Sequence, residues 1–138
     1  MGDNKTLPIP LFSTEYELQV RISNWLTIQY PKVLFRMDLG GIRLPISLAM
    51  KAKRLNPNRA WPDIFIAEPR SVFRGLFIEL KRCRSELLTK DGQYRKTKHI
   101  EEQRAVLSVL RSKGYRAEFG CGFDEVKQII DDYLDRRR

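Results

Sequence analysis

The stretch WPDIFIAEPRSVFRGLFIELKR, residues 61–82, holds two apolar triplets, Ile64-Phe65-Ile66 and Leu76-Phe77-Ile78. They read as buried strands joined by a turn around Pro69-Arg70-Ser71. Asp63, Glu79 and Lys81 sit among them. Burying an unpaired charge costs several kcal/mol, comparable with the whole stability of a small domain. These charges therefore lie at the surface, pair with one another, or hold a metal. Side chains alternate along a strand, so Glu79 and Lys81 project on the side of Phe77, and Asp63, opening the neighbouring strand, can lie beside them. Two carboxylates and a lysine then converge at one edge of the sheet. Carboxylate oxygens are the ligands that Mg²⁺ and Mn²⁺ prefer. A lysine nearby can orient a water or offset charge on a phosphate under attack. The same three residues on a one-sided sheet would be only a solvent-facing ladder.

The flanking segments complete a pattern. In TEYELQVRISNWLTIQY, Leu18, Ile22, Trp25 and Leu26 recur at helical spacing. Thr14 followed by Glu17 forms a capping box, and Pro31 places the helix end near Tyr30. Residues 33–38, VLFRMD, read as a short strand; after Gly40-Gly41, IRLPI reads as a possible returning strand. Residues 47–60 read as a basic connection with a helical turn. After the second apolar triplet a long polar loop runs to His99, with Asp91-Gly92 at the tip of a small hairpin. HIEEQRAVLSVLRSK is a helix with Ile100, Leu107 and Leu110 on one face and Gly114 beyond its end. YRAEFG is a strand and DEVKQIIDDYL a last helix. A strand–helix–strand passage requires a crossover, hence a mixed sheet with helices packed on it. Residues 1–12 are expected to be a loose arm, 13–134 one domain, and 135–138 a basic tail. Glu15 and Gln19 on the first helix, and Gln103 on the helix that begins at His99, are polar residues on or beside apolar stripes. The plain alternative for Glu15 is a first-turn acid favoured by the helix dipole, and for Gln103 a helix-edge glutamine with its amide in water.

Composition narrows the partners. Lys and Arg number 26 against 17 acids, a formal charge of +9. That excess favours a polyanion, most often nucleic acid. The candidate contacts are Lys51, Lys53, Arg54, Arg59, Arg82, Arg84, Lys90, Arg95, Lys96 and Lys98, which flank the charged strands. No apolar run approaches the roughly 20 residues of a membrane span, and no secretory leader is evident. Two cysteines, Cys83 and Cys121, and one histidine, His99, make neither a zinc site nor a disulfide framework. A reducing, cytoplasmic setting is the simplest reading.

Pro62-Asp63, Glu79-Leu80-Lys81 and Gln103 on the next helix together resemble the PD-(D/E)XK nuclease pattern. With TEYELQ, FRMDLGG, the KDGQY…HIEEQ passage and RSKGYRAEFGCGFDEVKQIIDDYL, the chain is most similar to the VRR-NUC family, in particular its small stand-alone bacteriophage and prophage members. The resemblance spans about residues 13–134. It implies an α/β, restriction-endonuclease-like αβββαβ core, a mixed sheet flanked by helices, with an extra C-terminal helix. It implies that Asp63, Glu79, the Leu80 carbonyl and Glu15 hold Mg²⁺ or Mn²⁺, that Lys81 contacts water and phosphate, and that Gln103 orients the site. Many members carry glycine shortly before the Pro-Asp, where this chain has Arg59-Ala60-Trp61.

The function that follows is metal-dependent hydrolysis of DNA phosphodiesters, selective for branched, Holliday-junction-like DNA, by a homodimer suited to two symmetric cuts. Trp61 stacks on an unpaired base or simply covers the core. A flap or nicking nuclease is the alternative of the same chemistry. A DNA-binding module without catalysis is the alternative of a different class, and an RNA-binding protein fits the charge without the aromatic pattern of common RNA modules.

Overall fold

The computed structural model describes residues 14–134; the expected arm at 1–12 and the tail at 135–138 lie outside the described residues. Thr14 caps helix α1, Glu15–Gln29, by a reciprocal pair: its hydroxyl accepts from the Glu17 N–H at 3.1 Å, and its own N–H donates to Glu17 Oε1 at 3.2 Å. Tyr30 is the C-cap, where Pro31 was expected to stop the helix. Strand β1, Phe35–Met37, follows.

The next segment departs from expectation. Residues 42–45 make no strand; a 3-10 turn at Leu39–Gly41 leads instead to helix α2, Ile46–Leu55. Pro45 occupies the N-cap and cannot donate to a sheet, while Leu48, Ala49, Met50, Lys51 and Ala52 are strong helix formers. The basic connection expected at 47–60 is therefore mostly this helix. None of its residues is buried, which is why no apolar stripe announced it.

Strands β2, Ile64–Ile66, and β3, Leu76–Lys81, pair antiparallel with Ile64 opposite Ile78. A bridge between Leu88 and Tyr94 makes the small hairpin, with Gly92 at φ +77 near its tip. Helix α3, Lys98–Ser112, ends before Gly114, whose φ of +98 suits glycine. It carries the chain over to β4, Arg116–Cys121, which runs parallel to β3. Helix α4, Phe123–Leu134, closes the domain. The sheet order is β1-β2-β3-β4, mixed as expected.

Period two decides which residues meet which layer. On one face Ile64, Ile66, Leu76, Ile78 and Leu80 pack against Leu18, Ile22 and Leu26 of α1 and Val126, Ile130 and Tyr133 of α4. Gly120 lets α4 approach: a Cβ there would lie 2.6 Å from Val126 Cγ2. On the other face Phe77 and Ala117 pack under Leu107 and Leu110 of α3, with Phe65 and Tyr115 alongside. Phe65 and Phe77, cross-strand partners, stack at 4.4 Å. This face continues from Phe77 into Glu79 and Lys81, beyond the apolar part of α3. The outer side of β4 is closed by side chains. Arg111 Nε donates to the Ala117 carbonyl at 2.8 Å, and Glu125 accepts from the Cys121 N–H at 2.8 Å.

Candidate active site

Asp63, Glu79 and Gln103 are buried, at 5%, 4% and 3% exposure, although all are polar. Each is compensated by a neighbour, as burial demands. Asp63 Oδ2 accepts from the Leu80 N–H at 2.7 Å, so the strand backbone fixes it. Gln103 Nε2 donates to Glu79 Oε2 at 2.8 Å, and Gln103 Oε1 accepts from Lys81 Nζ at 2.9 Å. One amide thus spans the acid and the lysine. Glu15, in the first turn of α1, reaches Asp63 by a side-chain hydrogen bond, and Asp63 reaches Glu79 in the same way. The helix-edge and solvent-ladder alternatives therefore fail for these residues: two strands and two helices bring them to one place.

Burial pushes the three carboxyls up. Glu15 rises to about 8, first from desolvation and then from its hydrogen bond to Asp63 and that residue's charge. Asp63 also rises to about 8, from burial and then from Glu79. Glu79 rises to about 7 by burial, held back by the bond from Asp63 and the charge of Lys81. The signs fit a chain in which Glu15 donates to Asp63 and Asp63 to Glu79, so protons are shared where charge is too expensive. The Oε1 atom of Glu79 is buried with no hydrogen-bond partner. Among the described residues, no three His, Cys, Asp or Glu side chains already surround a common point as ligands do. The oxygen-only donor set, and the orphaned Glu79 oxygen within it, nevertheless suit a hard divalent cation.

These groups open into a cleft of about 750 Å³ that also contains Asp38, Lys53, Trp61 and His99. His99 was not foreseen. Its Nε2 stands 3.0 Å from Gln103 Nε2. That nitrogen also donates to Glu79, which leaves its second hydrogen for the His99 ring nitrogen. The signal was present in the sequence as the i, i+4 spacing from His99 to Gln103.

No protein-family model matches the chain, and no curated protein matches it. Among solved structures, one named VRR_NUC domain protein superposes with a TM-score of 0.55 at 28% identity, covering 88% of this chain and 88% of its own. This neighbour supports the likeness to the VRR-NUC family that the motifs suggested.

VRR-NUC is a nuclease family, and the mixed sheet with its flanking helices is the restriction-endonuclease-like fold expected of it. The stretch Arg59-Ala60-Trp61 before the Pro-Asp holds an unusual backbone. Ala60 sits at φ 59, a left-handed conformation that glycine adopts without strain. Trp61, 44% exposed, rests edge-on against Phe77 at 5.3 Å, so it both covers the core and presents a ring to the cleft.

The basic candidates divide into two groups. Arg59 pairs with Glu102 at 3.4 Å, Arg82 with Glu86 at 2.6 Å and Arg84 with Glu125 at 3.2 Å. Arg95 Nε donates to the Ser85 carbonyl at 2.6 Å, pinning the loop. These guanidiniums already shape the protein. Lys51, Lys53, Arg54, Lys90, Lys96 and Lys98 are exposed, and of these Lys53 lines the cleft. Gln19 lies outside the cluster; its amide donates to the Asp38 carbonyl at 3.0 Å and ties α1 to the end of β1. No helix among the described residues is long and apolar enough to cross a membrane.

Proposed function

We propose that this protein is a Mg²⁺- or Mn²⁺-dependent endonuclease that hydrolyses DNA phosphodiester bonds and selects branched, junction-like DNA. The observation that carries the reading is the Asp63–Glu79–Lys81 cluster, bridged by Gln103 at the floor of an open cleft. Carboxylates this deeply buried and this close are a poor investment for stability alone.

Asp63, Glu79, the Leu80 carbonyl and Glu15 would hold the ion, which when bound supplies Lewis acidity toward the phosphate and lowers the pKa of water. The remaining work belongs to the chain. Lys81, fixed by Gln103, points its ammonium at the place where phosphate charge must be compensated and an attacking water held. The water loses a proton as its oxygen bonds to phosphorus, the bond to the leaving oxygen breaks, that oxygen takes up a proton to become a hydroxyl, and the other end keeps the phosphate. Leu80 fixes Asp63 through its N–H, and Gln103 keeps Glu79 and Lys81 at a set separation. Lys53 in the cleft, with the exposed Lys51, Arg54, Lys90, Lys96 and Lys98, would hold the backbone. A two-fold homodimer would suit paired cuts in symmetric strands, and light scattering tests it directly.

The deciding experiment is cleavage of four-way junction, flap and linear duplex DNA in Mg²⁺, Mn²⁺ and EDTA, with Asp63→Asn and Lys81→Ala alongside. The expected result is metal-dependent cutting of the junction, abolished in both variants, with Asp63→Asn still binding DNA. Cutting that survives either substitution refutes this site. Binding without cutting under every condition refutes the nuclease and favours a non-catalytic DNA-binding module.

A further inference from the structure

The lining of the cleft mixes unlike groups: Asp63, Glu79, Lys81 and Gln103 share it with Leu39, Ile42, Leu44 and Leu55. Leu39 is 57% exposed, Ile42 37% and Leu55 80%. A wall built only to hold a phosphate backbone would carry donors and cations. Apolar side chains left open beside a charged cluster call for a partner that is both flat or apolar and attached to a polyanion. The formal charge of +9 and the presence of Lys53 on the same cleft favour nucleic acid over a peptide or a second basic copy of this chain.

Trp61 decides what part of the nucleic acid enters. Its indole is edge-on to Phe77 at an interplanar angle of 87°, and Phe77 in turn stacks on Phe65 and meets Tyr115 at 5.1 Å. The ring is thus braced by the sheet, so a second ring can stack on it with little further loss of freedom. Only Pro62 separates Trp61 from Asp63. Two trans peptide links span at most about 7.6 Å. A base stacked on Trp61 and a phosphate beside Asp63 can therefore belong to the same or adjacent nucleotides. A cleft of about 750 Å³ has room for a nucleotide.

We propose that the cleft seats one unpaired nucleobase against Trp61, next to the phosphate brought to Asp63 and Lys81. This deepens the nuclease reading by naming the local state of the substrate strand: unpaired at the site of cutting, as at a junction or flap.

The test uses the full chain in EDTA, so that binding is measured apart from cutting. Anisotropy reads the affinity for a short labelled single strand, the same strand with one abasic position, and the matching duplex. Trp61→Leu keeps an apolar cover but removes the stacking ring; Trp61→Phe keeps a ring. Single-strand affinity is expected to fall about tenfold in Trp61→Leu and to be largely retained in Trp61→Phe, with duplex affinity unchanged. In Trp25→Phe protein, where Trp61 is the sole tryptophan, the single strand is expected to quench emission and the duplex is not. Unchanged single-strand affinity in Trp61→Leu without quenching overturns the proposal, as does an equal loss for single strand and duplex. An altered oligomeric state in Trp61→Leu with unaltered DNA affinity also overturns it and assigns the face to a second copy. The abasic strand gives the answer on unaltered protein should a variant misfold: a base seat predicts weaker binding wherever the missing base would occupy it. Stacking without any cutting in metal refutes the nuclease reading alone; cutting with no dependence on Trp61 refutes the base seat alone.

Discussion

Ala60 at φ 59 carries strain that a glycine would not. A left-handed conformation costs a non-glycine residue about 1–2 kcal/mol, and glycine gives back part of that gain as unfolded-chain entropy. Ala60→Gly is expected to stabilise the protein by about 0.5–1 kcal/mol, read as a higher urea midpoint at constant slope. His99 bears on the site through a single bond. Its Nε2 lone pair holds one hydrogen of the Gln103 amide, and so favours the orientation that serves Glu79 and Lys81. His99→Leu is expected to lower kcat about tenfold at similar DNA affinity, and His99→Gln, which keeps an acceptor near that position, to recover most of it. Equal rates in all three proteins would mean that Glu79 and Lys81 hold the amide unaided. The carboxyls predict a pH dependence with a definite sign. Glu15 and Asp63 rise to about 8 and Glu79 to about 7 in the folded chain. Their ordinary values lie near 4, so between about pH 4 and 8 the native state binds more protons than the unfolded state. The stability they confer is complete at the acid end of that window and is lost as pH rises through 7 to 8. Thermal melts without metal should show a falling Tm from pH 5.5 to pH 8, and added Mg²⁺ should restore more of it at pH 8. A Tm that rises over this range would contradict the buried, proton-sharing arrangement.

Helix α4 depends on Gly120 in β4, because a methyl group there would meet Val126 Cγ2 at 2.6 Å and Ile78 Cγ2 at 3.0 Å. Gly120→Ala is expected to cost about 1–3 kcal/mol by overpacking, measured by denaturant unfolding. Elements with a buried face were those most legible in the sequence. Leu18, Ile22 and Leu26 marked α1, the apolar triplets marked β2 and β3, and period two put Asp63, Glu79 and Lys81 on one side before any coordinates were needed. The polar residues Glu15 and Gln103 were noticed because they interrupted apolar stripes. Helix α2 was hidden because it buries nothing: its residues have helix propensity without the periodicity that burial imposes. His99 was hidden for a related reason. It is exposed, and its importance lies in one hydrogen bond to a buried neighbour one helical turn on rather than in an apolar stripe. Arg82, Arg84 and Arg95 looked like free cations because their partners Glu86, Glu125 and the Ser85 carbonyl come together only through the turn at Arg84–Glu86 and the packing of α4.

At the scale of the molecule, the charge of +9 makes association with a polyanion sensitive to salt. Each phosphate contact contributes about 0.9 to the slope of log affinity against log salt on duplex DNA. Neutralising Lys96 and Lys98 together should therefore flatten that slope by roughly 2 if both touch phosphate. An unchanged slope would remove the 85–98 loop from the DNA-binding surface. The two ends of the sheet have a different consequence. Strand β1 is only three residues long, and β4 already gives its Ala117 carbonyl to Arg111 and its Cys121 N–H to Glu125. A strand from another molecule meets backbone groups already engaged at these positions, which hinders the edge-to-edge pairing by which β-rich proteins grow into filaments. To that extent the sheet is guarded against fusing with the sheet of another copy.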